Sequence, residues 1–157
     1  MNRQQHMLMK IIQKISVFEG LSVEDAQNIL VISKMQKMAA GEQIYGYGAE
    51  STDMLVLIQG KLKVVSVAGQ DILEISPGAS IGEMGVFTGE PRTANIVAVD
   101  ASLGLMIDRE RLRDLLKTEL NMKATILENV VAELAYRLTE ANKKLGKLFH
   151  SNLHPVF

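Results

Sequence analysis

The 157-residue chain contains no cysteine and no tryptophan, only three prolines, and four Phe beside three Tyr. Without cysteine there can be no disulfide, thiolate zinc site, iron–sulfur cluster or cysteine nucleophile, a composition that suits a reducing compartment. Neither sign of charge dominates: 17 Lys+Arg oppose 18 Asp+Glu. The chain thus lacks the overall basic field by which nucleic-acid binders neutralise phosphates. No apolar run approaches the roughly 18 residues of a membrane-spanning helix. The start, MNRQQHMLMKIIQKI, has no continuous apolar stretch followed by a small-residue cleavage site, so it is a poor signal peptide. A cytoplasmic setting with no membrane partner is expected. Nine methionines stand where aromatics are scarce, which predicts a core of aliphatic and flexible side chains. The length suits one domain.

The chain divides into three textures and a tail. Over residues 1–33 the apolar positions Met9, Ile12 and Ile15, then Ala26, Ile29 and Leu30, recur at helical spacing around a break at Phe18-Glu19-Gly20-Leu21. Ser22 followed by Asp25 resembles a capping box, which starts the second helix near Val23. Over residues 34–108 short β-prone runs (MQKMAA, MLVLIQG, KLKVVSV, DILEIS, ANIVAV, SLGLMI) alternate with glycines. Strands this short, with no helical crossovers between them, predict a mainly β fold: an antiparallel, jelly-roll-like β barrel flanked by helices. Residues 109–149 are helical again, and residues 150–157 form a tail. In the second of these C-terminal helices Leu127, Val131, Leu134, Leu138, Ala141, Leu145 and Leu148 step alternately by four and three, a heptad seam that predicts a homodimer.

Residues 81–94, IGEMGVFTGEPRTA, fit neither a strand nor a long helix, and they carry the candidate chemistry. A short helix opening at Gly82 presents free backbone N–H groups to an anion. Arg92, fixed by Pro91, adds a two-pronged charge-assisted contact to a phosphate. Glu83 cannot favour that anion, and its place beside such a pocket makes sense if it accepts a hydrogen bond from a sugar hydroxyl. The competing reading is a glycine-rich loop with an ordinary Glu–Arg ion pair.

This segment resembles the phosphate-binding cassette of cyclic nucleotide-binding domains: a Gly-Glu, a short helix, then Pro-Arg-(Ala/Ser/Thr)-Ala. The similarity extends upstream through FEGLSVEDAQNIL, GEQIYGYGAESTDMLVLIQGKLKVV and ISPGASIGE, and downstream into the long helix. It implies that Glu83 binds a ribose 2′-hydroxyl and Arg92 the cyclic phosphate. The backbone at Gly82, Glu83, Met84 and Thr93, next to Ala94, would hold the remaining ribose and phosphate oxygens, with Leu73 and Ile75 walling the base. LAYRLTEANKKLGKL resembles the dimerisation helix of catabolite-activator-type regulators, whose polar groups reach the purine; the matching positions are Arg137, Ala141 and Asn142. The hydroxyl pair that those regulators use is absent here. Thr93 resembles members that prefer cyclic GMP, yet many cyclic AMP binders carry Ser or Thr at this place. The implied ligand is cyclic AMP or cyclic GMP, with cyclic AMP preferred.

The regulators it resembles carry a helix-turn-helix domain after the dimer helix, and this sequence stops shortly past the seam. The resemblance thus implies a stand-alone sensor that signals through the dimer helix to an unidentified effector protein, with no DNA binding by this chain. The alternative is an interaction protein of the same fold that binds no nucleotide. No catalysis is expected from one carboxylate beside one arginine without a nucleophile. No resident cofactor or metal is expected either. His150 and His154 share a helical spacing, but Pro155 follows and no Cys or carboxylate is adjacent. Lys143, Lys144 and Lys147 read as a solvated basic face.

Overall fold

The computed structural model describes residues 1–152. Two helices come first, α1 (Arg3–Gln13) and α2 (Val23–Ile32), joined through a 3-10 turn at Ser16–Phe18. Asn2 and Ser22 each close a capping box at the start of these helices, the second with Asp25 as expected. Eight strands follow: β1 (Ser33–Met38), β2 (Gln43–Tyr45), β3 (Asp53–Gln59), β4 (Leu62–Val65), β5 (Asp71–Ile75), β6 (Ser80–Ile81), β7 (Asn95–Ala98) and β8 (Ser102–Asp108). A six-residue helix, α3 (Glu83–Thr88), lies between β6 and β7. Helices α4 (Arg109–Thr118) and α5 (Leu120–Asn152) complete the described chain.

The strands form two four-stranded sheets, ordered β1-β8-β3-β6 and β2-β7-β4-β5. Every pairing is antiparallel. The jelly-roll topology is as expected, but the sheets face one another without closing into a barrel. Two strands escaped the sequence pattern, β2 and β6, because three and two residues beside glycines are too short to display a period. The connection 82–94, which holds α3, runs from β6 of the first sheet to β7 of the second, and residues of both sheets line the cavity beside the cassette.

The first sheet is covered on both faces. Met54 and Val56 of β3 turn toward the helices and join Phe18, Ile107, Leu112 and Ile126. Leu55 and Leu57 turn the other way and pack between the sheets with Leu62, Ile75 and Ile96. This double burial explains why Met54–Leu57 is an unbroken apolar run instead of an alternating one.

Helix α5 has two unlike halves. Met122, Ile126 and Val130 are buried against the helical side of the core, with Leu134 half-buried beside them. Asn129 donates to the carbonyls of Val17 and Glu19 at 3.0 and 2.8 Å and thereby ties the 3-10 turn to the helix. Of the heptad positions, Leu127 and Leu134 are half-buried, while Val131, Leu138, Ala141, Leu145 and Leu148 are exposed. The tail residues 153–157, with His154, lie outside the described residues. Among the described residues no helix is long and apolar enough to cross a membrane, and no cluster of three metal-ligating side chains occurs.

Ile126 is the fully buried contact of α5 with the body of the domain. Ile126→Ala is expected to lower unfolding free energy by about 2–5 kcal/mol, read as a drop in the urea midpoint at unchanged slope.

Candidate functional site

The backbone sets the site before any side chain does. Gly82, which opens α3, has φ +88°, a left-handed conformation that side chains rarely adopt. A Cβ there would also stand 2.5 Å from Nη1 of Arg92. The glycine thus lets the main chain turn into α3 and approach the arginine at the same point. Arg92 is pinned through its own main chain: its N–H donates to Ala49 O and its carbonyl accepts from Gly48 N–H, both at 2.8 Å.

The Arg92 side chain is 6% exposed and fully engaged on one edge. Nη2 donates to the carbonyl of Asp53 at 2.7 Å and to its carboxylate Oδ1 at 2.9 Å. The guanidinium carbon lies 3.6 Å from the centre of the Tyr45 ring, a cation–π contact. The Tyr45 hydroxyl donates to the same Oδ1 at 2.7 Å. Burial, reinforced by the Asp53 carboxylate, pushes the Tyr45 phenol far up, so it remains a donor. Nη1 of Arg92 is buried and has no partner.

Glu83 has the complementary arrangement. It is 1% exposed, and Oε1 accepts from Arg137 Nη1 at 2.7 Å, while Oε2 is buried without a partner. Arg137 extends from α5 and also pairs with Glu133 of the same helix. Burial raises the Glu83 pKa, the Arg137 charge opposes that shift, and Glu133 adds to it. A cavity of about 190 Å³ has Glu83, Arg92 and Arg137 in its lining. Glu83 and Arg92, two of its lining residues, each keep one buried atom without a partner, an acceptor and a cationic donor.

A family model for the cyclic nucleotide-binding domain matches residues 35–119. The chain belongs to this family. A cAMP-dependent protein kinase regulatory subunit from Yarrowia lipolytica is 23% identical over 81% of this chain and 34% of its own length. The cGMP-dependent protein kinase 2 of Homo sapiens is 27% identical over 78% of this chain and 17% of its own. The chain thus spans about a third or less of these curated relatives. A solved cyclic nucleotide-binding domain from Methylobacillus flagellatus, 24% identical, superposes with a TM-score of 0.79, covering 92% of this chain and 84% of that one.

In this cyclic nucleotide-binding domain the cassette residues Gly82, Glu83, Met84, Arg92, Thr93 and Ala94 all line one cavity, and Arg137 joins them from α5. Leu73 and Ile75 do not line it. Ile75 is turned into the core between the sheets, and Leu73 is half exposed on the edge strand, paired in register with Val64. Val64, Ile81 and Ile96 supply the apolar wall instead. Ala141 and Asn142 lie farther along α5, exposed and outside the lining. Tyr45, Asp53 and Glu133 were not legible as site residues. The one local signal was an aromatic just before Gly46 in a chain poor in aromatics; the meeting of Tyr45 and Asp53 with Arg92, 39 positions beyond Asp53, is set by the packing of the two sheets.

The raised Glu83 pKa has a definite sign. The folded chain holds this proton to higher pH than the unfolded chain does, so the associated stability is complete below about pH 4.5. It is lost as pH rises through the raised folded value. The melting temperature of the wild type minus that of Glu83→Gln should therefore fall as pH rises above about 4.5; a difference that stays level would show an unperturbed carboxyl.

Proposed function

We propose that this chain is a regulatory sensor that binds a cyclic nucleotide in the Glu83–Arg92 cavity. The observation that carries this reading is the pair of buried, unpartnered atoms at the cavity, Glu83 Oε2 and Arg92 Nη1. Leaving such atoms unmatched costs roughly 1–3 kcal/mol each, more for charged groups. A ligand bearing both a hydroxyl donor and a phosphate monoanion would relieve both. A ribose cyclic phosphate has those groups on one rigid ring system. Cyclic AMP is the preferred ligand and cyclic GMP the second: the curated relatives are named for one nucleotide each, and Thr93 at the cavity suits either.

The output would pass through α5. Arg137 shares Glu83 with the cavity, so a ribose hydroxyl that donates to this carboxylate alters the contact by which α5 touches the cassette. A ligand shifts such an equilibrium only by its differential affinity for the two positions of the helix. The exposed heptad positions Val131, Leu138, Ala141, Leu145 and Leu148 would pair with the same helix of a second copy, and a homodimer or an effector protein would read the change.

Titration calorimetry with cyclic AMP and cyclic GMP tests the binding. Heat is expected with wild type, and Arg92→Ala should weaken affinity by about tenfold or more. Absence of heat and of any thermal shift at millimolar ligand would reject the reading. For the dimer, Leu138→Glu with Leu145→Glu is the suitable variant, since Leu134 also packs on its own core. It should sediment as a monomer where the wild type sediments as a dimer, and a monomeric wild type would reject the seam.

A further inference from the structure

We infer that Tyr45 and Asp53 are the positioning residues of Arg92, holding its guanidinium in place before ligand arrives and leaving Nη1 as the edge offered to the cyclic phosphate. The inference rests on the reading of the cavity as a cyclic nucleotide site. An arginine side chain brings five N–H donors in one plane and considerable rotamer freedom. Here that freedom is removed by a chain of contacts. Nη2 is committed to the carbonyl and carboxylate of Asp53. The Tyr45 ring covers one face of the plane at 3.6 Å. The Tyr45 hydroxyl then holds Oδ1 of Asp53 in turn, so the carboxylate that grips the arginine is itself gripped.

The three residues come from different places in the chain. Tyr45 ends β2 in one sheet, Asp53 begins β3 in the other, and Arg92 precedes β7. The clamp therefore spans the opening between the sheets, where the cassette sits. Gly82 closes it from the cassette side, its Cα facing Nη1 too closely for any side chain. A guanidinium fixed in this way loses little further entropy when an anion binds, and that is the physical gain of pre-positioning. Asp53 also counterbalances the arginine charge while the cavity is empty, which keeps a buried cation from standing alone.

A double-mutant cycle by calorimetry separates positioning from mere support of the fold. Tyr45→Leu and Asp53→Ala should each weaken cyclic AMP binding by about tenfold. In an Arg92→Ala background the same changes should cost almost nothing more, because the group they position is gone. Tyr45→Phe keeps the ring and should recover most of the loss. Equal losses in both backgrounds, or wild-type affinity in Tyr45→Leu and Asp53→Ala, would overturn the inference.

The second measurement needs no ligand. In nitrogen NMR spectra of the free protein, the two Arg92 Nη signals should be separate, because rotation of the guanidinium is blocked, and should merge in Asp53→Ala. Merged signals in the wild type refute the clamp even if Tyr45→Leu fails to fold. If the wild type binds neither cyclic nucleotide, the functional reading fails by itself, and separate Nη signals would still support the held arginine.

Discussion

Two opposite charges are buried at the joint between the sheets, Glu83 and Arg92, and each obtains its counter-charge from a distant element. Asp53, at the start of β3, takes Nη2 of Arg92; Arg137, in the middle of α5, takes Oε1 of Glu83. A buried charge that loses its partner typically costs about 3–5 kcal/mol, so these two pairs constrain where the cassette, the first sheet and the long helix can sit. The rest of the fold arranges itself around that requirement. The covered first sheet gives a rigid base for Asp53, and the anchored first half of α5 presents Arg137 at the cavity mouth.

Neither pair is complete. One oxygen of Glu83 and one nitrogen of Arg92 are left without partners, in a protein where most buried polar groups would be satisfied. An acceptor and a cationic donor are thus left over in two residues that line one cavity. The same geometry ties the cassette to α5, because Arg137 touches Glu83 directly. The half of the helix beyond Arg137 is exposed along its leucine positions, with nothing packed on them among the described residues.

Much of this was legible in the chain. The capping box at Ser22 and Asp25, the glycine-punctuated β runs, the cassette and the heptad spacing of α5 each follow from local chemistry that acts over a few residues. The cassette was readable because a left-handed glycine, a carboxylate and a proline-fixed arginine must stand close together in sequence to build one turn. Where several strands share the work, the pattern fell silent. The apolar wall was expected from Leu73 and Ile75, yet Ile75 faces the inter-sheet core and Val64, Ile81 and Ile96 line the cavity. Alternation tells which residues share a face, but not which part of that face lies over the opening.

The sequence by itself determined the family, the identity of the charged residues at the cavity and the existence of a long helix with an apolar stripe. These depend on residue type and on short-range spacing, which the chain carries explicitly. Only the tertiary structure decided that the sheets remain open, that Asp53 and Tyr45 grip Arg92, and that Arg137 reaches Glu83 across 54 positions of sequence. Those partners are selected by burial: a charge removed from water takes the nearest opposite charge that the packing provides, and nearness across two sheets and a helix is not written in any local stretch of residues.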